Sequence, residues 1–201
     1  IVQGVGHAAG GIGVHVADLA SGLRAAGGRV RVVAPADTAQ RFDLGDVDTA
    51  AWPSRTSPLA YLSGLRHLRR IVAGSEIVHA HGHQAGLTAL LAAAGTGVPV
   101  VISWHNAILA NRGPGALPER WQARRAALVT GASQDLVDRA ALLGARSSEL
   151  APVAAPAAGS YDGTRAQARA AVATAVGIEE SSDEVWALTV SRIAPQKDLD
   201  V

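Results

Sequence analysis

The sequence predicts an α/β fold, a doubly wound parallel sheet with helices on both faces. Three observations carry that expectation. Strand-like and helix-like segments alternate along the chain with short turns between them. Runs such as Val98-Pro99-Val100-Val101-Ile102 are apolar at every position, as strands covered on both faces require. The chain is 48% hydrophobic but only 3% aromatic, so the core must be built from Ala, Val and Leu.

The elements follow in order. Residues 1–5 read as the tail of a strand, and a glycine-rich turn follows at His7-Ala8-Ala9-Gly10-Gly11. Ile12, Val16, Leu19, Leu23 and Ala26 recur at helical spacing until Gly27-Gly28 stops them. Residues 29–34 form a β-branched strand, and 36–57 read as irregular, with a short strand near 47–52. The segment 58–73 predicts a helix with Leu62, Leu65 and Leu68 inward and Arg66, Arg69 and Arg70 toward solvent. Strands are expected at 76–81, 99–104 and 127–131, and helices at 83–94, 119–125 and 133–143. Ser133 is the natural N-cap of the last helix and Gly144 its stop. A short strand at 148–153 closes this series. The Ala/Pro/Gly/Ser-rich stretch 154–164 reads as a linker, followed by a helix over 164–176 and a buried strand over 185–190.

Composition removes several classes of function. A net charge of +1 argues against a nucleic-acid protein that works through its overall field. The absence of cysteine excludes a disulfide scaffold and a thiolate metal site. There are 42 alanines, 17 arginines and a single lysine, a bias of GC-rich bacterial codons. Residues 77–111 carry no Asp, Glu, Lys or Arg, but Gly95, Gly97 and Pro99 interrupt the run before it can span a membrane. The sequence has no methionine, so an internal fragment is expected, cut in front of Ile1 and again after Val201.

Four segments carry candidate chemistry. Gly4-Val5-Gly6-His7-Ala8-Ala9 matches the G-x-G-x-x-A dinucleotide pattern nominally. However, the helix is expected to start near Gly11, and Asp37 lies too far along to be the ribose-binding acid. A structural turn and a ligand-facing loop of another kind are the alternatives. His79 and His81 alternate on a strand and share a face; they could hold a metal, or one could be a satisfied core histidine. His105 directly follows a strand, where parallel sheets open their ligand crevice, and suits proton handling or a bond to substrate. Arg192 and Lys197 flank a strand-to-helix turn in Ser191-Arg192-Ile193-Ala194-Pro195-Gln196-Lys197-Asp198, where both could reach one diphosphate. A solvated pair is the bland alternative. Neither G-x-S-x-G nor G-x-x-x-x-G-K-[ST] occurs, which removes serine hydrolases and P-loop NTPases.

Together, Gly10-Gly11-Ile12-Gly13-Val14-His15-Val16, Glu76-Ile77-Val78-His79-Ala80-His81, His105 and the 191–198 segment resemble the family-four glycosyltransferases of the two-Rossmann-domain, B-type class. Ser191 stands where that family more often has glycine, and Ala154-Ala155-Pro156 replaces its usual linker turn. The resemblance implies a Rossmann-like, acceptor-side N-terminal domain over 1–153, a linker and connecting helix over 154–183, and the start of a nucleotide-sugar-binding domain over 184–201. It implies a retaining transferase that moves a sugar from a nucleotide-diphosphate donor. His105 would touch the transferred sugar, Gly10 and Gly11 would form the donor's sugar-phosphate loop, and Arg192 and Lys197 would neutralise the diphosphate. His81 would lie on the acceptor side. No cofactor, protein-bound metal or nucleic-acid partner is implied, and the location implied is cytoplasmic, including the inner membrane face.

The implied acceptor is open between a lipid, an inositol, a polysaccharide and a small metabolite. The arginines of 58–73 suit either solvent or an acidic membrane surface. Two other classes of function stay open on sequence alone, an NAD(P)-dependent dehydrogenase or epimerase and a non-catalytic sugar-binding module. The chain by itself is expected to be inactive, and its residues 184–201 to be poorly protected from amide exchange.

Overall fold

The structure is a computed structural model that describes residues 1–8, 10–48, 52–53, 57–106, 116–153, 161–179 and 185–187. The chain divides into two compact units, Ile1–Pro156 and Ala157–Val201.

In the first unit, strands β1 (Val2–Val5), β2 (Arg31–Val33), β3 (Val47–Asp48), β4 (Val78–His81), β5 (Val100–Trp104), β6 (Leu128–Gly131) and β7 (Ser148–Leu150) form one parallel sheet. Their order is β3-β2-β1-β4-β5-β6-β7. The chain therefore winds outward from β1 to β3, crosses back, and winds outward again from β4 to β7. Right-handed crossovers then put the helices of the two halves on opposite faces. Helix α1 (Gly11–Ala25) covers one face through Val16 and Ala20, which pack with Val5, Val32, Ala34 and Leu44. Helices α3 (Pro58–Ala73), α4 (His83–Ala93), α5 (Leu117–Arg125) and α6 (Gln134–Leu142) share the other core with Val78, Ala80, Val100, Ile102 and Val129. The expected doubly wound parallel sheet is what the chain forms.

Some elements depart from expectation. Residues 36–41, read as irregular, form a short helix α2 (Ala36–Arg41). Six residues are too few to show a helical period, and tertiary bonds hold the turn instead. Thr38 Oγ1 donates to the Gly6 carbonyl at 3.2 Å and accepts from Ala8 N–H at 3.0 Å. In α3, Leu62 is 45% exposed, not inward, and the buried residues are Leu68 and Val72. Only the C-terminal half of that helix has a core to fill. Arg69 is exposed, but its guanidinium also reaches the carbonyls of Ala92 and Ala94 at the end of α4. Ser133 takes the N-cap position of α6 without a side-chain capping bond.

In the second unit, α7 (Arg165–Val176) begins at a capping box, with Thr164 and Gln167 satisfying each other's backbone N–H groups. The expected buried strand over 185–190 is not present at 185–187, and Val185 is 97% exposed. Residues 188–190 lie outside the described residues. Among the described residues, no helix is long and apolar enough to cross a membrane.

One polar brace ties the helices together beneath the sheet. Glu119 on α5 is fully buried and accepts from Arg139 Nε on α6 at 2.9 Å. Removing the cation takes its bonded guanidinium from a buried carboxylate, which costs more than the pair contributes. Arg139→Met should lower unfolding stability by about 3 kcal/mol in urea titration. The double variant Arg139→Met/Glu119→Leu should recover part of that loss, and a single variant no less stable than the parent would contradict the account.

Candidate active site

The carboxyl ends of β1, β4 and β5 meet where the winding reverses, the place at which open α/β sheets bind ligands. On the α1 side of that end the strands carry polar residues in place of valine. Gln3, His79, His81, Ser103 and Thr130 come from four adjacent strands at alternating positions of one face. Hydrogen bonds link them. His79 Nε2 and Ser103 Oγ share a bond of 2.7 Å, and Ser103 Oγ shares another of 2.7 Å with Thr130 Oγ1. His81 Nε2 donates to Gln3 Oε1 at 2.7 Å.

His105 lies above this face. Its ring stacks on His81 with centroids 5.7 Å apart and planes 18° from parallel. His15, from the second turn of α1, meets both His81 and His105 edge-on at 5.6 Å. His79 is 4.2 Å from His81. Four imidazoles thus share one patch. Burial pushes each of them toward the neutral form, and for His79, His81 and His105 the neighbouring histidines add to it. His79 and His105 are lowered to about 4, and His81 lies well below its ordinary range. His15 is lowered by burial, against the opposing pull of Asp18. The Nε2 of His105 is buried with no protein partner.

Among the described residues, no group of three or more His, Asp or Glu side chains converges as a metal-binding set. What the patch offers is neutral donors and acceptors in a dry setting, suited to hydroxyl-rich ligands and to proton-neutral positioning.

The glycine-rich turn borders the patch. Gly10 takes the N-cap position of α1 and Gly11 opens the helix, as the late start read from the sequence requires. A Cβ on Gly11 would meet nothing within 4 Å, so the space beside it is open. Asp37, on α2, accepts from His7 Nδ1 at 2.9 Å and is held below the usual carboxylate range mainly by that bond. A cavity of about 280 Å³ lies between the turn and α4, lined by Gly6, His7, His81, Gly82, His83 and Asn106 among others. A larger cavity, about 630 Å³, opens at the amino ends of β1 and β2, away from every histidine of the patch. Position and chemistry favour the smaller one.

The structure stacks His105 on His81, and it places Gly10 and Gly11 at the start of α1, the helix whose His15 meets both rings. Arg192 and Lys197 lie outside the described residues. Sequence reasoning missed Gln3, His15, Ser103 and Thr130. Their signal was present: a glutamine inside an otherwise apolar strand, and a histidine beside Val16 in a helix that starts at the ligand end.

A family model for the glycosyl transferase 4-like domain matches residues 10–156, which span α1 to the end of the first unit. The chain belongs to this family. No curated protein sequence matches it. Among solved structures, Anabaena Alr3699/HepE in complex with UDP-glucose is similar with a TM-score of 0.64 at 15% identity, over 88% of this chain and 50% of that one. UDP-N-acetylglucosamine 2-epimerase from Rickettsia bellii is similar with a TM-score of 0.56 at 10% identity, over 74% of this chain and 43% of that one. The chain thus spans half the length of the first and less of the second. At these identities the likeness is one of fold. It agrees with a glycosyltransferase domain of the Rossmann-like, B-type architecture.

The neutral imidazole patch carries a pH consequence. A histidine whose folded pKa lies below its ordinary 6.5 takes up protons when the chain unfolds. Its contribution to stability is complete above pH 6.5 and is lost as pH falls from there toward 4. The urea midpoint should therefore drop steadily across that interval, and His79→Gln should flatten the drop. A midpoint constant from pH 6.5 to 4.5 would refute the neutral cluster.

Proposed function

We propose that the chain is the acceptor-side part of a retaining glycosyltransferase that moves a hexosyl group from a nucleotide-diphosphate sugar to a hydroxyl-bearing acceptor. The observation that carries this reading is His105 at the carboxyl end of β5, over the reversal point of a glycosyl transferase 4-like domain. UDP-glucose in the similar Anabaena structure supports a nucleotide-sugar donor.

In this reading His105 hydrogen-bonds the transferred sugar and steadies charge as the glycosidic bond breaks. Gly10 and Gly11 let backbone amides approach the donor's sugar-phosphate end. Arg192 and Lys197 neutralise the leaving diphosphate, where charge develops most strongly. His81 faces the acceptor. The domain division proposed is 1–153, 154–183 and 184–201, with the last segment opening a nucleotide-sugar-binding domain. The rest of that domain would supply the nucleotide pocket, so the 201-residue chain alone is proposed to be inactive. A cytoplasmic site of action fits, with the inner membrane face within reach of the arginines on α3.

The test uses the complete enzyme with a panel of nucleotide sugars. His105→Ala and Lys197→Ala should each lower kcat by on the order of a hundredfold. The product's anomeric proton should show the donor's configuration retained. Unchanged turnover in both variants would remove the residue assignments, and inversion would remove the mechanism. Measurable transfer by the isolated chain would overturn its proposed inactivity. Calorimetric titration with NAD(H) should give no binding, which separates this reading from a dehydrogenase.

A further inference from the structure

Seven histidines occur in the chain, and burial holds His15, His79, His81, His83 and His105 toward the neutral form. A group that takes up a proton during a reaction must be free to carry the charge, and burial opposes that in each of these. The other two, His7 and His67, each face a carboxylate, Asp37 and Asp48. His67, on α3, lines neither of the two cavities. His7 stands in the glycine-rich turn after β1 and lines the 280 Å³ cavity, and its side chain is 64% exposed.

Helix α2 holds His7 by its ring and by the backbone on either side. Asp37 accepts from His7 Nδ1, with 2.9 Å to Oδ2 and 3.1 Å to Oδ1. Thr38, fully buried, donates through Oγ1 to the carbonyl of Gly6 at 3.2 Å and accepts from the N–H of Ala8 at 3.0 Å. Two adjacent residues of one short helix thus fix a single residue of the turn. An exposed pair such as His7 with Asp37 adds little to stability, so fold stability does not account for it.

The clamp also sets the chemistry of the ring. The bond from His7, joined by the backbone N–H groups of Thr38 and of Asp37 itself, holds the Asp37 carboxyl below the usual carboxylate range. An ionised carboxylate only accepts, so the His7 proton sits on Nδ1. Nε2, at the other edge of the ring, then carries a lone pair. A histidine oriented by a carboxylate in this way can draw the proton from a hydroxyl.

Resting on the transferase reading above, we infer that His7 is the catalytic base that takes the proton of the acceptor's hydroxyl, with Asp37 and Thr38 as its positioning residues. The acceptor oxygen forms a bond to the anomeric carbon of the donor sugar. The bond from that carbon to the diphosphate breaks, and its electron pair goes to the diphosphate. The hydroxyl proton passes to His7 Nε2, and the imidazolium so formed lies against the Asp37 carboxylate. The exposed ring then returns the proton to water. His105 and its buried neighbours are left to position neutral groups, which suits their burial.

The test has a spectroscopic arm and a kinetic arm. Two-bond ¹H–¹⁵N histidine spectra of the 201-residue chain should place the His7 proton on Nδ1, with His7→Gln to identify the ring. Asp37→Ala should give that ring a mixture of tautomers. The kinetic arm follows release of nucleoside diphosphate by the complete enzyme from the panel of nucleotide sugars, with water as the acceptor. His7→Ala should lower kcat on the order of a hundredfold with the donor's KM unchanged, and added imidazole should restore about tenfold of it. Asp37→Ala and Thr38→Val should each lower kcat by about tenfold at the same KM, and Thr38→Ser should match the parent. His67→Ala, which removes the pair away from the cavity, should leave both constants unchanged.

A proton on Nε2 of His7 in the parent chain, unchanged kcat in His7→Ala, or a loss that imidazole does not relieve would overturn the inference. In each case turnover of a nucleotide sugar by the parent enzyme would leave the transferase reading standing. Should His7→Ala fail to fold, the parent tautomer and the kcat of Asp37→Ala decide, and full activity in that variant would overturn the inference as well. Release of no nucleoside diphosphate from any nucleotide sugar would remove the transferase reading, and the base with it.

Discussion

The parallel pairing of β1 with β4 is the constraint on which the site depends. These strands are far apart in sequence, yet their register sets Gln3 beside His79 and Val5 beside His81. The bond between His81 and Gln3 follows from it. A slip of β1 by one residue would turn Gln3 to the opposite face, into the apolar core shared by α3, α4, α5 and α6. The register is strongly specified because that core accepts only the alternate set, Val2, Val78 and Ala80. The apolar half of each strand thus aims the polar half.

The polar half is costly to hold. Neutral imidazoles stacked away from water forgo hydration, and unpartnered nitrogens forgo a bond as well. Natural cores of this size leave few such groups without partners. Here the unpartnered imidazole nitrogens belong to His81, His83 and His105, which follow the carboxyl ends of β4 and β5 or lie on them, beside a cavity. The same dryness gives the site its strength, because a hydrogen bond made there competes with little water.

Much of the architecture was legible in the sequence, since continuous apolar runs and capped helical periods are local signals. The strand at 100–104 and the helix at 83–93 read directly, and Gly82, between β4 and that helix at φ +86°, marks a turn that favours glycine. Helix α2 was not legible, because six residues hold their shape through Thr38 and the glycine-rich turn. Leu62 misled for a related reason: periodicity marks a face but not how far along the helix the core extends. His81 and His105 were legible as strand-end histidines. Their convergence with His15 and Gln3 was not, because it depends on which strands become neighbours. Arg192 and Lys197 lie outside the described residues and rest on the motif alone.

The brace between α5 and α6 has a consequence beyond holding two helices. Glu119 also approaches His83, with 3.6 Å between its Oε1 and the ring's Nε2. A cavity-lining ring is thereby anchored to a buried carboxylate on the far face of the sheet. The position of a cavity-lining ring thus depends in part on a residue outside the cavity's lining. Libraries built to change acceptor choice would do well to sample the neighbours of Glu119 along with the visible wall of the cavity. A screen confined to that wall would leave half of the lever untouched.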